Sequence, residues 1–266
     1  MSKQFGRIVE FLCNGRTISS NDFRIEFRVE FDDDPKPNTS EIVIYNLSES
    51  TINSLKKNNR VTLNAGYQND KGVILSGYIS KVLTRRDGTD HPTTIYVTDS
   101  QPLDTDKTAN KSYKKGVKAS YILRDLAKVL GVKLAALELP NDKTFSRGYY
   151  VNGSILDVIR AIARDCGSDY YFNHGNLYIR PRKVGDITQF VLNSDTGLIG
   201  SPEPFEEETD DKKGRKGYKV KSLLQYRMNT ASIIQLDSMY VKGRYRVKKG
   251  VHSWQGNNFY TEVEVE

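Results

Sequence analysis

The hydrophobic pattern of this chain changes period twice, from two to about three and a half and back. In residues 22–31, Phe23, Ile25, Phe27, Val29 and Phe31 alternate with Arg24, Glu26, Arg28 and Glu30. That alternation predicts a strand buried on one face only. Its other face carries charges of alternating sign, so neighbours two residues apart can pair. Asp32-Asp33-Asp34-Pro35-Lys36-Pro37 then breaks the strand. The two prolines make an exposed turn, and the spacing of an EF-hand calcium loop is absent. A second β run, 41–45, ends at Asn46-Leu47-Ser48, where Ser48 is placed to cap a short helix reaching Leu55. Residues 60–64 alternate again, Ala65-Gly66-Tyr67 follows, and 72–83 carries Ser76-Gly77-Tyr78 within it. Asp87-Gly88 separates 73–86 from 93–97 as a loop between antiparallel strands.

Helical spacing takes over in the middle third. Ile122, Leu123, Leu126, Ala127 and Leu130 form one apolar stripe, stopped by Gly131. A second helix begins at Ser154, with Asp157 as an acidic capping-box partner. Ile155, Val158, Ile159, Ile162 and Ala163 make its stripe, and Gly167 ends it. Residues 169–172 and 177–180 flank Asn173-His174-Gly175-Asn176 as a tight hairpin, and a further strand falls near 147–151. The segment 206–217 has no apolar residue and reads as a mobile loop. Beyond it, 218–224, 231–236, 243–252 and 258–265 read as strands. Glu262-Val263-Glu264-Val265-Glu266 alternates to the last residue, the mark of an edge shared with another subunit or guarded by its glutamates.

The 266 residues give room for two or three domains. A hydrophobic content of 37% with 10% aromatics suits globular domains rich in strand, not a disordered chain. No run reaches bilayer-spanning length. The first residues lack the apolar core of a secretion signal, which points to folding in a cytoplasm. Cys13 and Cys166, the only cysteines, fall in different thirds and read as free buried thiols. The net charge of +7 is uneven. Residues 106–186 hold 15 Lys and Arg against 8 Asp and Glu, whereas the stretches on either side are nearly balanced. The surplus begins with Lys107, Lys111, Lys114, Lys115 and Lys118. Such a cluster can meet phosphate. Segment 111–118 nonetheless has a single aromatic, too few for a base-stacking platform, and a solvated lysine-rich helix face accounts for it.

Candidate chemistry is sparse. His91, His174 and His252 are isolated from one another, and neither HExxH, CxxC, GxSxG, a phosphate-binding loop nor GxGxxG occurs. No carboxylate pair stands out in an apolar setting for sugar hydrolysis. The residues point to no enzyme, metal or cofactor.

Ile44-Tyr45-Asn46-Leu47-Ser48 with its helix, Ala65-Gly66-Tyr67 and Leu75-Ser76-Gly77-Tyr78-Ile79 follow an order that resembles the tube-forming domain of phage tail proteins. Gly153-Ser154-Ile155-Leu156-Asp157-Val158 with Gly175-Asn176-Leu177-Tyr178-Ile179 is similar to the middle domain of baseplate hub proteins of the late-control, hub-like superfamily. Lys221-Ser222-Leu223-Leu224, Gly243-Arg244-Tyr245-Arg246-Val247, His252 and the stretch from Phe259 to Val263 match that family's closing pattern, although the segment between Leu224 and Ile233 lacks its proline and glycine. The resemblance implies a mainly β fold with an α+β insertion: two tail-tube-like β-barrel or sandwich domains, 1–105 and 187–266, flanking a small α+β domain, 106–186. It implies a structural virion protein, a homotrimeric baseplate hub assembled in the host cytoplasm that joins a hexameric tail tube to a trimeric central spike. Tape measure and baseplate wedge proteins are further implied partners, DNA passes only through the lumen, and no cofactor is involved. Asn46, Leu47, Gly66, Tyr67, Gly77, Tyr78, Gly243 and Tyr245 are the scaffold residues that the resemblance marks. Arg24, Glu26, Arg28 and Glu30 are expected to line the lumen or an oligomer contact, with Phe23, Phe27 and Phe31 in the core. A tail-associated cell-wall hydrolase and a nucleic-acid-binding module using residues 107–133 stay open as alternatives.

Overall fold

The computed structural model describes residues 6–34, 37–99, 107–207 and 215–266. The first third folds into β1 (Arg7–Cys13), β2 (Arg16–Ser19), β3 (Ile25–Asp32), β4 (Thr39–Tyr45), α1 (Glu49–Ser54), β5 (Arg60–Tyr67), β6 (Asp70–Thr84) and β7 (Pro92–Thr98). Asn14 and Gly15, both at positive φ, close the β1–β2 hairpin with a turn that suits strand twist. Ser48 Oγ accepts the Thr51 amide at 3.3 Å and caps α1. The middle third gives β8 (Thr108–Tyr113), β9 (Val117–Lys118), α2 (Ala119–Leu130), β10 (Lys133–Leu137), β11 (Thr144–Phe145), β12 (Tyr149–Ser154), α3 (Ile155–Asp165), β13 (Asp169–Asn173) and β14 (Asn176–Arg180). The last third gives β15 (Asp186–Leu192), a 3-10 turn at Ser194–Thr196, β16 (Leu198–Glu207), β17 (Arg215–Leu223), β18 (Ser232–Asp237), β19 (Lys242–Gln255) and β20 (Asn258–Val265). The fold is mostly β, as the alternation requires.

The described residues within 1–32, 38–99 and 185–266 form one compact unit, and those within 33–37 and 100–184 form another. In the first unit the strands run in the order β16-β17-β20-β19-β3-β4-β7-β6-β5-β1-β2, every neighbouring pair antiparallel. β18 joins the N-terminal part of β19, and β15 runs parallel to β18. The first and last thirds of the chain meet where β3 pairs with β19, from Phe27 opposite Trp254 to Asp32 opposite Lys249.

Two apolar cores lie in this unit. One gathers Phe11, Ile25, Phe27, Ile42, Ile44, Leu63 and Ile95 from β1 to β7. The other gathers Leu192, Val220, Ile234, Leu236, Val247 and Val265 from the last third. Each receives a ring from the opposite region. Phe259 of β20 enters the first core, with the rings of Phe27, Tyr67 and Trp254 at 6.3, 5.6 and 5.1 Å in edge-on geometry. Phe31 of β3 packs in the second. A polar clamp adds to this junction. Asp70 accepts hydrogen bonds from Arg227 at 2.7 and 2.9 Å and from the Tyr226 hydroxyl at 3.1 Å. The bidentate pair fastens the β5–β6 turn to the segment after β17.

In the second unit α2 packs on α3, and the pair covers the β10-β14-β13 sheet. Ile122, Leu123, Leu126, Ala127 and Leu130 are buried, and Gly131 closes α2 at φ 83°. Ser154 Oγ accepts the Asp157 amide at 3.3 Å and caps α3. His174 and Gly175, both at positive φ, form the two-residue turn between β13 and β14.

The structure corrects several expectations. β3 starts at Ile25, not Asp22, because 22–23 turn back onto the Ser19 carbonyl; Phe23 is only partly buried against the core. In α3, Leu156 is buried and Val158 only partly so. Of segment 206–217, residues 206–207 and 215–217 pair as strand in β16 and β17, and 208–214 lie outside the described residues, as do 35–36 of the aspartate–proline turn and the 105/106 boundary. The strand at Glu262–Glu266 is no edge: β20 pairs with β17 on one side and β19 on the other. Its glutamates face lysines of those neighbours.

Phe259→Ala should lower the free energy of unfolding by about 3–5 kcal/mol, because it empties the space between three rings. Tyr260→Ala, one residue on and facing outward, should cost under about 1 kcal/mol. Urea titration of both variants measures the order, and a larger loss for Tyr260→Ala would refute this account of the junction.

Candidate functional site

The outward side chains of β3 open the site. Arg24 pairs with Glu26 at 2.6 Å and Arg28 with Glu30 at 2.8 Å, as the spacing of two predicts. The Arg24 guanidinium also lies 4.3 Å from the centre of the Tyr45 ring. The side chains of Arg24 and Arg28 are each 61% exposed, so the row stands on the surface of the unit.

Antiparallel register carries that row sideways. Asp32, Lys249, Glu264, Lys219 and Glu203 stand opposite one another on β3, β19, β20, β17 and β16, alternating in sign over five strands. Lys249 lies 2.9 Å and Lys219 3.9 Å from Glu264. The next row places Glu262 against Lys221, 2.7 Å apart. Cross-strand pairs of opposite charge each add a few tenths of a kcal/mol up to about 1 and hold register. The hydrogen bond that each ammonium group donates to its partner glutamate, Lys249 to Glu264 and Lys221 to Glu262, holds both lysines above their ordinary pKa. A groove of about 740 Å³ opens on this face beside Gly200 and Ser201, where β16 slips register against β17. Its charged lining is Arg28, Lys219, Lys221 and Lys249 against Glu30, Asp32, Glu203, Glu262 and Glu264, so neither sign dominates.

Among the described residues, no group of three or more His, Cys, Asp or Glu could hold a metal ion. The histidines remain apart. His252 is fully buried, with Nδ1 2.8 Å from Thr261 Oγ1 and its ring on Phe31. The His91 amide donates to Asn46, and burial pushes the imidazole pKa of His174 down. Cys13 and Cys166 are free and buried.

The eight scaffold residues lie outside the groove, in two groups. Asn46, in the left-handed region at φ 59°, accepts the His91 amide at 2.8 Å and donates to Asp90 at 3.0 Å, pinning the end of β4 to the β6–β7 loop. Leu47 is buried beside it. A Cβ on Gly66, at φ 153°, would meet the Asp70 carbonyl oxygen at 2.4 Å, and one on Gly77 would meet that of Thr98 at 2.2 Å. Tyr67 packs edge-on against Phe259, and burial pushes its phenol up to about 12. Tyr78 stands between Arg60 and Thr98. Gly243, at φ 154°, and Tyr245, edge-on to Tyr218 at 5.5 Å, belong to β19. Sequence reading missed the lysines and glutamates of β17, β19 and β20 as partners of β3. Their only signal was the matching Lys219-Val220-Lys221 and Glu262-Val263-Glu264 patterns.

No family model matches the chain, and no curated protein sequence matches it. Solved structures do. The 43 kDa tail protein of prophage MuSo2 from Shewanella oneidensis is 9% identical, with 98% of this chain and 97% of that one covered at a TM-score of 0.69. A tail protein from Neisseria meningitidis is 8% identical, covering 98% and 96%, with a TM-score of 0.66. An Escherichia coli protein is 8% identical, covering 96% and 76%, with a TM-score of 0.64; it is described as a component of the type VI secretion system with structural similarity to the T4 bacteriophage tail proteins gp27 and gp5. The fold of this chain is therefore that of phage tail proteins, in agreement with the resemblance read from its sequence.

Beside the charged rows, the Asp99 carboxylate accepts from the Asn38 amide at 3.0 Å and from Asn38 Nδ2 at 3.1 Å. Burial nevertheless pushes its pKa up to about 6, because the charged form loses water faster than Asn38 replaces it. The protonated form is favoured in the fold, so this contribution to stability is complete below about pH 4 and is lost as pH rises through 6. Relative to Asp99→Asn, the native protein should lose about 2 kcal/mol of stability between pH 4 and 7. Denaturant titrations of both proteins across that range test it, and a constant difference would rule it out.

Proposed function

We propose that this chain is a structural, non-enzymatic component of a phage-type tail: a homotrimeric hub that joins a hexameric tail tube to a trimeric central spike. The observation that carries the proposal is the whole-chain match to the tail proteins of prophage MuSo2 and of Neisseria meningitidis, with nearly the full length of both chains aligned in each case. The two β regions, 1–105 and 187–266, then act as two tube-like halves of one ring subunit, with 106–186 as the insertion. In that reading the protein assembles in a host cytoplasm, becomes part of the virion baseplate, and also meets tape measure and baseplate wedge proteins.

Two features of the first unit support it. The main strand order ends in β16 on one side and β2 on the other, and the branch through β18 ends in β15, each with one unpaired edge among the described strands. Contacts between unlike edges of successive copies close into a ring and cover edges that a lone chain leaves open. The charged face bearing Arg24, Glu26, Arg28 and Glu30 carries both signs in near balance. Such a lining neither traps nor repels a passing polyanion strongly, which suits a lumen that transmits DNA. The eight scaffold residues shape the strands that would present this face.

Mass determination in solution, alone and with tube protein, should give a trimer or a trimer-based ring. A protein that stays monomeric in both settings would remove the hub reading. For the lumen, Arg28→Cys should react with a small maleimide in the assembled ring but not with a maleimide on a long polyethylene glycol chain. Equal reaction with both would place the face outside.

A further inference from the structure

The second unit carries a feature that the tail reading leaves unused. Residues 107–184 hold fifteen Lys and Arg against six Asp and Glu. Five of those carboxylates are paired: Asp125 with Lys111, Asp142 with Lys118, Asp157 with Arg160, Asp165 with Lys143, and Asp169 with Arg164 and Arg182. Among the described residues, no carboxylate pairs with Lys114, Lys115, Arg124, Lys128 or Arg147, and all five are exposed.

The fold lines these five up. Lys114 and Lys115 occupy the turn between β8 and β9, and Arg147 the turn between β11 and β12. The turns abut: the Gly116 and Gly148 amides both donate to the Phe145 carbonyl, at 2.9 and 3.0 Å. A Cβ on Gly148 would come within 2.6 Å of the Tyr113 carbonyl oxygen. From this turn pair the surface continues onto α2. Tyr113 donates to Asp125 at 2.6 Å and lies edge-on to Tyr121, whose ring is 61% exposed. Arg124 and Lys128 follow Tyr121 at helical spacing on the same open face. From Tyr121 to Lys128 the helix extends this strip by about 10 Å. Two carboxylates touch α2, and both are engaged: Asp125 is held by Lys111 and Tyr113, and Asp142 accepts from the Ser120 amide and hydroxyl.

We propose that this strip binds the phosphate backbone of DNA. A row of exposed cations beside acids that are already engaged matches a linear polyanion, and the exposed Tyr121 ring offers a stacking surface that an acidic protein would not need. The near-neutral groove of the first unit lacks both properties. The inference does not depend on the tail reading, since it rests on the second unit alone.

The test is fluorescence anisotropy of a labelled DNA oligonucleotide with the full chain over a range of salt. Binding should weaken steeply, with log K falling against log salt at a slope of about −3 to −4, as expected for roughly four phosphates neutralised. Lys114→Glu with Lys115→Glu and Arg147→Glu should lower affinity at least about tenfold. Arg124→Glu with Lys128→Glu should do the same from the helix side, and circular dichroism should show both variants folded. Lys219→Glu with Lys221→Glu, on the first unit, serves as the control and should leave binding within about twofold. An equal loss in that control would reduce the effect to overall charge and overturn the proposal. Competition by polyglutamate as strong as by DNA of equal charge would also overturn it, in favour of an acidic protein partner.

Discussion

The pairing of β3 with β19 is the constraint on which the rest of the first unit depends. It joins strands more than two hundred residues apart. β19 shifts register between Val247 and Lys249 against β20, pairing with β18 through its N-terminal part and with β3 through its C-terminal part. That irregularity lets one strand serve two cores. The exchange of Phe31 and Phe259 between the cores follows from it, and so does the Asp32–Lys249 step that starts the charged row. A slip of one residue would turn Glu30 and Asp32 inward and Phe31 outward.

What sequence could reveal followed from distance along the chain. The alternation of β3, the stripe of α2, the Ser48 and Ser154 caps and the His174-Gly175 turn are local patterns, and each was legible. β20 was misjudged because alternation reports one buried face and says nothing about which strands lie on either side. β15 and β16 escaped because their periodicity is broken: Gln189 sits at φ 54°, and β16 shifts register between Ile199 and Glu203. The candidate site was half legible. Arg24, Glu26, Arg28 and Glu30 announced a charged face, but the lysines that extend it come from strands about two hundred residues away. Gly66 and Gly77 stood out within ordered motifs, while the reason for them, a backbone oxygen of Asp70 or Thr98 where a Cβ would lie, needs three dimensions. The raised pKa of Asp99 was invisible for the same reason, since its partner Asn38 is far away in sequence.

The two units handle charge in opposite ways. On the β face, acids and bases interleave until the groove is nearly neutral. Among residues 107–184 each acid but one is matched to a base and a line of cations remains. A sequence pI near 9.1 therefore describes neither surface, because the excess positive charge is concentrated in one of them.

The β3–β19 register also sets a timetable. During synthesis β3 and β4 emerge early, while β19 is among the last segments made. For most of that interval the β19-facing edge of β3 has no partner, an exposure that invites wrong pairing between chains. The strands and helices between residues 107 and 184, which pair among themselves, can complete their mostly local contacts meanwhile. The salt-bridged charges of Arg24, Glu26, Arg28 and Glu30 then act as guards on a strand that must wait, keeping it soluble until its partner leaves the ribosome.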